Sequence, residues 1–404
     1  MAMQRSILAV LAGTLLLAGC GGPARQTTGS MFDFKPGAED RNAGIEAQSV
    51  DAAKMLDADD QVPFRRREAQ PVPAGRTGQW LVVSNHNHTT YWDGKVPLTV
   101  MQQQAYLKNI DALVVTDHNT MRGCTSPEFL SPPPGLIMVK GMEWNAFREK
   151  GEPVVGHAGL LGLKGDQNVR TGAGLEEMLK EATARDATVI INHPFCHNNE
   201  WTQSEPDERA HAVEVWNNWW YRVNPIMNNS KALAWWDNTL KKGRRLTAVS
   251  GTDNHGNFHG DVARVVNLIF AETPDQAGIL KGLRNGHVMI TSSPTSARIY
   301  LEADADGDGT YEAIMGDQVI RPADGKLSVR ARVLGGDGKK VAFYTAKGRV
   351  AIREADGKDA TIPLSVALGD GPDYIRAELR SHPHLPMSMT AIANPIYVAP
   401  TRKP

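Results

Sequence analysis

Cysteine is scarce in this chain: the 404 residues contain three, Cys20, Cys124 and Cys196. That excludes a disulfide-dense scaffold and an all-cysteine metal ribbon, so any metal chemistry must rest on histidine and carboxylate. Excess charge of either sign is also missing. Forty-four Lys and Arg stand against 45 Asp and Glu, a formal net charge of −1, so the balance indicates no nucleic acid or other polyanion as partner. Beyond the first twenty residues, no run approaches the roughly 18 apolar residues that a spanning helix needs. What remains is 41% hydrophobic in a chain too long for one small domain, which predicts two folded units with ample core.

The first twenty residues read as an export signal. Arg5 supplies the positive start, residues 7–17 the apolar stretch, and Leu17-Ala18-Gly19-Cys20 a small-residue cleavage site ending in cysteine. This is similar to a bacterial lipobox, which implies cleavage before Cys20 and lipidation of its thiol; a plain secretory peptide is the alternative. Gly21 and Gly22 follow, with no Asp at the second mature position. The expected place is the bacterial cell envelope, as a lipoprotein on the periplasmic side of the outer membrane. Residues 21–75, rich in Gly, Ala, Pro, Gln and charge, read as a flexible linker with a short helix near residues 51–55. In an oxidising compartment Cys124 and Cys196 would pair, remain two separate thiols or serve as soft metal ligands, in that compartment the least favoured role.

From Trp80 onward, short apolar runs alternate with helical patterns. Strands are expected at 80–84, 112–116, 136–142, 157–163, 187–192, 212–216, 246–250, 265–270 and 287–291, and helices at 97–108, 174–185, 229–243 and 274–284. The pattern is α/β and predicts a parallel sheet closing into a distorted, TIM-like (β/α)7 barrel, with reactive groups at the C-terminal strand ends. Those ends carry acid and imidazole. The first strand leads into His86 and His88, which share a strand face and can address one point. Later strands run into Asp117-His118, Glu143, His193 and Asp253 with His255, while His157 opens its own strand. Singly, each is a polar residue capping a strand; together they favour one shared site.

His86, His88, Asp93, His118, Glu143, His157, His193, Asp253 and His255 thus form a candidate ligand set. Imidazole with carboxylate suits Zn, Mn or Fe, and so many ligands imply two or three divalent ions with a bridging carboxylate. His211, His259 and His287 are expected to lie outside the set.

The stretches Asn85-His86-Asn87-His88-Thr89-Thr90-Tyr91-Trp92-Asp93-Gly94, Thr116-Asp117-His118, Gly141-Met142-Glu143, Asn192-His193-Pro194 and Gly251-Thr252-Asp253-Asn254-His255 resemble the polymerase-and-histidinol-phosphatase (PHP) superfamily of metal-dependent hydrolases. Val213-Glu214-Val215-Trp216-Asn217 and the closing stretch 391–398 are similar to the branch that includes carbaryl-type carbamate hydrolases. The resemblance spans roughly residues 80–292 and implies that His86, His88, Glu143 and Asp253 surround a first ion. Glu143 would bridge to a second ion held by His157 and His193, and Asp93, His118 and His255 would serve a third. Asn85 and Trp92 depart from the usual residues of the pattern, and Trp92 narrows access to the third ion. The implied chemistry is hydrolysis by metal-activated water, with Glu143, His118, His255 and Asp253 as the catalytic set and His118 or His255, where not fully engaged as ligands, protonating the leaving group. Asp117 either orients a ligand or caps a turn.

Trp216, Trp219, Trp220, Tyr221, Trp235 and Trp236 crowd one region, mostly as core anchors. Trp219 and Trp220, beside Arg222, are the candidates for contact with substrate. Lys140, Arg244 and Arg245 are either phosphate contacts or solvated surface. After Pro294 the pattern turns to period-two strands with Gly and Asp turns, which predicts a β-sandwich over 295–404 and leaves 76–294 as the PHP domain. Residues 304–309 imitate the opening of a calcium loop, but Met315 stands where its closing Glu belongs, so an acidic hairpin is expected. The reading is an exported phosphoesterase acting on a small phosphate mono- or diester. A carbamate, ester or amide hydrolase is the alternative, and a non-catalytic metal-containing binding lipoprotein a third reading. The oligomeric state is open.

Overall fold

The computed structural model describes residues 70–145, 156–170, 174–197, 199–220, 228–256, 261–369, 371–385 and 388–400. The export signal with Cys20, the linker up to residue 69, Tyr221, Arg222 and His259 lie outside them. The described residues fall within one compact unit, Val50–Pro404, and none of their helices is long and apolar enough to cross a membrane.

The apolar runs form β1 (Gln79–Asn87), β2 (Ala112–Val115), β3 (Ile137–Asn145), β4 (His157–Leu161), β5 (Thr188–Asn192), β6 (Ala212–Asn217), β7 (Thr247–Gly251), β8 (Val266–Ala271) and β9 (Val288–Thr291). The helical patterns become α1 (Leu98–Leu107), α3 (Leu175–Ala184), α4 (Asn229–Lys241) and α5 (Gln276–Asn285). A further short turn of helix, α2 (Pro127–Leu130), has no apolar period to announce it; Ser126 caps it and Pro127 starts it. Asp275 caps α5 by accepting from Gly278 N at 2.7 Å, and Gly286, at φ 79°, ends it.

The sheet is mixed, which corrects the expectation of a uniformly parallel one. β1, β2 and β3 are parallel neighbours, as are β5, β6 and β7, but β4 runs antiparallel to both β3 and β5, and β8 antiparallel to β1. The sequence between Asn145 and His157 is too short for the helical crossover that parallel neighbours require. Reversal of β4 therefore brings the start of that strand, with His157, to the end of the sheet where its neighbours finish.

Alternation along these strands then decides what faces the site. Leu81, Val83, Ala112, Val114, Val139, Leu161, Ile190, Ala212, Val249 and Ile269 share one apolar cluster with Ile279 and Leu283 of α5. Two-residue steps along the same face lead from Val139 to Glu143, from Val114 to His118, from Leu161 back to His157, from Ile190 to Asn192, and from Val249 to Gly251 and Asp253. In β1 the step alone would carry Asn85 and Asn87 to this face. A bulge between Ser84 and Asn87, with His86 at φ 64°, inserts one residue against β2 and hands the face to His86 and His88.

β7 ends the hydrogen-bonded order of this sheet, and side-chain amides span the gap beyond it. Asn267 accepts from Ser250 N at 2.8 Å and donates to Ser250 O at 3.1 Å. Asn394 accepts from Ala248 N at 2.7 Å and donates to Ala248 O at 2.8 Å. Each amide thus copies the donor and acceptor of a neighbouring peptide.

Beyond residue 294 the chain forms β10 (Arg298–Asp304), β11 (Ala313–Ile314), β12 (Gln318–Ile320), β13 (Lys326–Leu334), β14 (Lys340–Thr345), β15 (Gly348–Glu354), β16 (Asp359–Ala367), β17 (Asp373–Arg380) and β18 (Met389–Ala399). β18 pairs antiparallel with β9, so β14, β15, β17 and β18 extend the first sheet, while β10, β11, β13 and β16 form a second, antiparallel one. β13 turns Leu327, Val329, Ala331 and Val333 into the same apolar cluster as Val341, Phe343, Ile375 and Leu379 from the first sheet. A buried ionic chain ties α4 to this region: Arg376 donates to Asp237 at 2.8 Å and to Glu378 at 2.6 Å, and Arg380 donates to Glu378 at 2.7 Å. In the acidic loop, Asp304 accepts from Gly307 N at 2.7 Å and Gly309 N at 3.0 Å, closing the turn on its own backbone.

Candidate metal centre

Glu143 stands at the middle of the histidines. Its Oε1 lies 3.1 Å from His86 Nε2, 3.1 Å from His157 Nδ1 and 3.2 Å from His193 Nε2; its Oε2 lies 3.3 Å from His88 Nε2 and 3.1 Å from His118 Nδ1. Asn192 Nδ2 donates to Oε1 at 2.9 Å and holds the carboxylate still. Asp253 approaches from β7, with Oδ1 3.5 Å from His86 Nε2, 3.4 Å from His88 Nε2 and 3.4 Å from His255 Nδ1. Asp93 closes the outer side, 3.6 Å from His88 Nδ1, 3.8 Å from His118 Nε2 and 3.3 Å from His255 Nε2. The structure thus brings together all nine candidate ligands named from the sequence.

The donor atoms fall into overlapping groups, each within 4.8 Å: His88, Asp93, His118 and His255; His86, His88 and Glu143; His86, His193 and Asp253; and His118, Glu143 and His157. This differs in detail from the division implied by resemblance, since His88 also faces the Asp93 group and His118 also faces Glu143. The residues fit divalent cations by a direct test. His86 Nε2, both nitrogens of His88, Asp93 Oδ1, His118 Nδ1, Glu143 Oε2, His193 Nδ1 and His255 Nε2 are buried without a hydrogen-bond partner. So many orphaned lone pairs in one place are costly unless something other than protein satisfies them.

Charge points the same way. Burial disfavours ionised Glu143 and Asp253, yet the surrounding histidines hold both well below the usual carboxylate range. Burial also disfavours charged His86 and His88; Glu143, Glu214 and Asp253 outweigh it at His86, and the nearby carboxylates of Asp253, Glu143 and Asp93 raise His88 to about 10. At His118 burial wins, helped by His88 and His157, and its pKa falls to about 3. Asp93, Glu143 and Asp253 thus gather negative charge among buried imidazoles, a balance that bound cations would meet. Strain marks it too: His86, His193 and Asp253 adopt φ of 64°, 24° and 49°, a left-handed backbone costing on the order of 1–3 kcal/mol for each such residue.

Other sequence candidates take other places. Asp117 accepts from Thr89 N at 2.6 Å and Thr89 Oγ1 at 2.7 Å, so it caps the turn after β1. Burial pushes its pKa up to about 6. Cys124 and Cys196 are buried, and the disulfide weighed from sequence is not made. Cys124 points its Sγ at Gly141 O, 3.4 Å away, among the strands. Arg244 bonds the carbonyls of Pro206 and Asp207, Arg245 bonds Gly316 O, and Lys140 bonds Gly165 O and Asp166. His211 accepts from Val189 N, and His287 meets Asp317. Trp216, Trp220 and Trp236 are buried; Trp220, a candidate for substrate contact, instead packs edge-on against Trp216 at 4.9 Å. Trp219 is 40% exposed, with the Arg264 guanidinium 4.3 Å from the centre of its ring. Glu214, Asn192 and Arg264 were given no role by sequence reasoning. Two-residue steps from Ala212 and Ile190 were the available signal for the first two; Arg264 had none.

No family model matches the chain, and no curated protein does. Among solved structures, a two-domain protein from Bacteroides vulgatus, containing a predicted PHP-like metal-dependent phosphoesterase, is similar over 83% of this chain and 99% of its own, at 17% identity and a TM-score of 0.47. A protein from Bifidobacterium adolescentis, provisionally assigned as a metal-dependent phosphoesterase, aligns with 46% of this chain and 91% of its own at 14% identity and a TM-score of 0.33. An amidohydrolase from Chromobacterium violaceum, with bound sulfate and no metal, aligns with 43% and 87% at 14% identity and a TM-score of 0.33. Likenesses this remote leave the chemistry to be argued from the residues themselves.

Proposed function

We propose that the chain is a metal-dependent hydrolase of the PHP type, with two or three divalent ions of Zn, Mn or Fe held by His86, His88, Asp93, His118, Glu143, His157, His193, Asp253 and His255. The observation that carries this reading is the set of buried, unpartnered donor atoms around Glu143. Structural zinc sites close with four ligands, and this set is larger than that need, which counts against the binding lipoprotein. Bound there, such ions polarise the oxygen of the scissile group and lower the pKa of coordinated water. The protein's own residues do the rest. Glu143 joins the inner ligand groups, Asn192 fixes it, and the more open side belongs to Asp93 and His255, whose side chains are 32% and 21% exposed. Where the ring is not engaged by an ion, that exposure favours His255 over His118, at 8%, as the group that hands a proton to the leaving atom.

The favoured substrate is a small phosphate ester. Trp219 follows β6 at the end of the sheet where the histidines gather, and Arg264 precedes β8, whose start lies beside the end of β1. A guanidinium stacked on an indole offers an anion contact beside an apolar plate. The exposed face of Trp219 is what supports the second reading, a carbamate, ester or amide with an organic leaving group. Hydrolysis of mono- and bis-p-nitrophenyl phosphate against a naphthyl carbamate separates the two: phosphoester turnover supports the first, carbamate turnover alone the second. On the same reading the carboxy-terminal layers are a β-sandwich module, and Cys20 tethers the enzyme to the membrane.

A further inference from the structure

Glu214 belongs to none of the ligand groups, yet its fully buried carboxylate stands directly behind them. It sits two residues beyond Ala212 on the inner face of β6, and three donors converge on it. His86 Nδ1 lies 2.8 Å from Oε1, and His193 N and Asn217 Nδ2 donate to Oε2 at 3.0 and 2.9 Å. β7 leaves room for this carboxylate only because residue 251 is glycine: a Cβ there would lie 2.0 Å from Oε1. The other nitrogen of His86, Nε2, points the opposite way, 3.1 Å from Glu143 Oε1 and 3.5 Å from Asp253 Oδ1, with no hydrogen-bond partner.

We infer that Glu214 is a positioning residue for the metal centre: it accepts the Nδ1 proton of His86, fixes the tautomer whose Nε2 lone pair faces Glu143 and Asp253, and through His193 N sets a second ligand from the same carboxylate. An imidazole coordinates through one nitrogen, and the hydrogen bond made by the other chooses which. The role calls for a carboxylate, not an amide. All three neighbours are donors, and Gln would turn an NH2 group against one of them, leaving two buried donors face to face. Glu214 reaches neither substrate nor ion in this role; it acts through His86 and His193.

The inference rests on the metal reading, and the test keeps the two apart. The full chain, labelled with 15N-histidine and loaded with Zn²⁺, is examined by long-range 1H–15N NMR, with His86→Gln assigning the resonance. The expected result is a His86 ring with a protonated Nδ1, a strongly downfield and slowly exchanging proton, and zinc on Nε2. Zinc on Nδ1, or an Nδ1 proton in fast exchange with water, overturns the role of Glu214 while leaving the metal centre standing. A chain that binds no zinc overturns both. Glu214→Gln should lower zinc affinity by about tenfold to a hundredfold and move or abolish the downfield proton. Gly251→Ala, which crowds the carboxylate without removing it, should shift both readouts in the same direction. Unchanged affinity and an unchanged proton in folded Glu214→Gln would count decisively against the inference.

Discussion

His157 Nδ1 lies 3.1 Å from Glu143 Oε1, although the two residues sit on strands that run in opposite directions. Asn145 pairs with His157 and Glu143 with Gly159, so the last turn-ward residues of β3 and the first of β4 stand side by side. Reversal of one strand therefore adds an imidazole to a carboxylate already met by four others. A uniformly parallel sheet would have placed His157 at the far end.

Glu143→Gln removes the charge shared by the His86–His88 and His118–His157 groups. The amide presents one weak acceptor where two charged oxygens served five rings. Metal affinity should fall by at least about a hundredfold, since losses of tenfold to a hundredfold already follow from changes one layer further out, and turnover should fall with it. Far-UV circular dichroism should stay that of the wild type. Full activity with full metal content would remove Glu143 from its assigned place.

Metal removal should cost stability as well as activity. An ion bound only by the folded state stabilises it by about 2.7 kcal/mol at a free concentration one hundred times Kd. Chelation should thus lower the melting temperature of the chain, and Zn²⁺ or Mn²⁺ added in excess should restore it in a concentration-dependent way. Melting temperatures with and without chelator check this.

Cys124 should be inert in the native protein. Burial pushes its thiol up to about 12, so at pH 8 only about one molecule in ten thousand carries the reactive thiolate. Thiol titration with Ellman's reagent should leave Cys124 unmodified until denaturant is added. Rapid native labelling, mapped by peptide mass, would contradict its placement between Val115 O and Gly141 O.

Glu378 should make the carboxy-terminal layers acid-sensitive. Burial opposes its charge, but Arg376 and Arg380 hold its pKa below the ordinary 4.5. A carboxylate with a depressed folded-state pKa contributes stability above its unfolded value, and that contribution is lost as pH falls through the folded one. Glu378→Gln leaves Arg376 and Arg380 buried with less counter-charge and should cost about 3 kcal/mol at pH 7. The gap between wild type and variant should narrow in thermal melts taken at successively lower pH, once the pH falls below 4.5.

The strands and their acidic or imidazole ends were legible because short continuous runs rich in Val, Ile and Leu end at Asp117-His118, Glu143, His193 and Asp253. Strand direction was not, because it is a matter of connection length and packing that local pattern does not carry. In the tail, strands are expected from sequence at 297–302, 327–333, 341–344, 349–353 and 374–379, which omits β16 and β18, each with a proline in mid-strand. β16 carries Pro363, and β18 carries Asn394 and Pro395, where Asn394 bonds Ala248 and Val288 across the sheet. Glu214 was visible as a residue but not as a partner of His86, since a buried acid declares its role only when its three donors are in place.

The metal content of the purified chain, measured by elemental mass spectrometry after reconstitution with Zn²⁺ or Mn²⁺ and removal of free ions, tests the central claim most directly. The account predicts about two or three equivalents per chain, as multinuclear hydrolytic centres require, and clear depletion in Glu143→Gln. A folded wild-type chain that retains no divalent metal would contradict it.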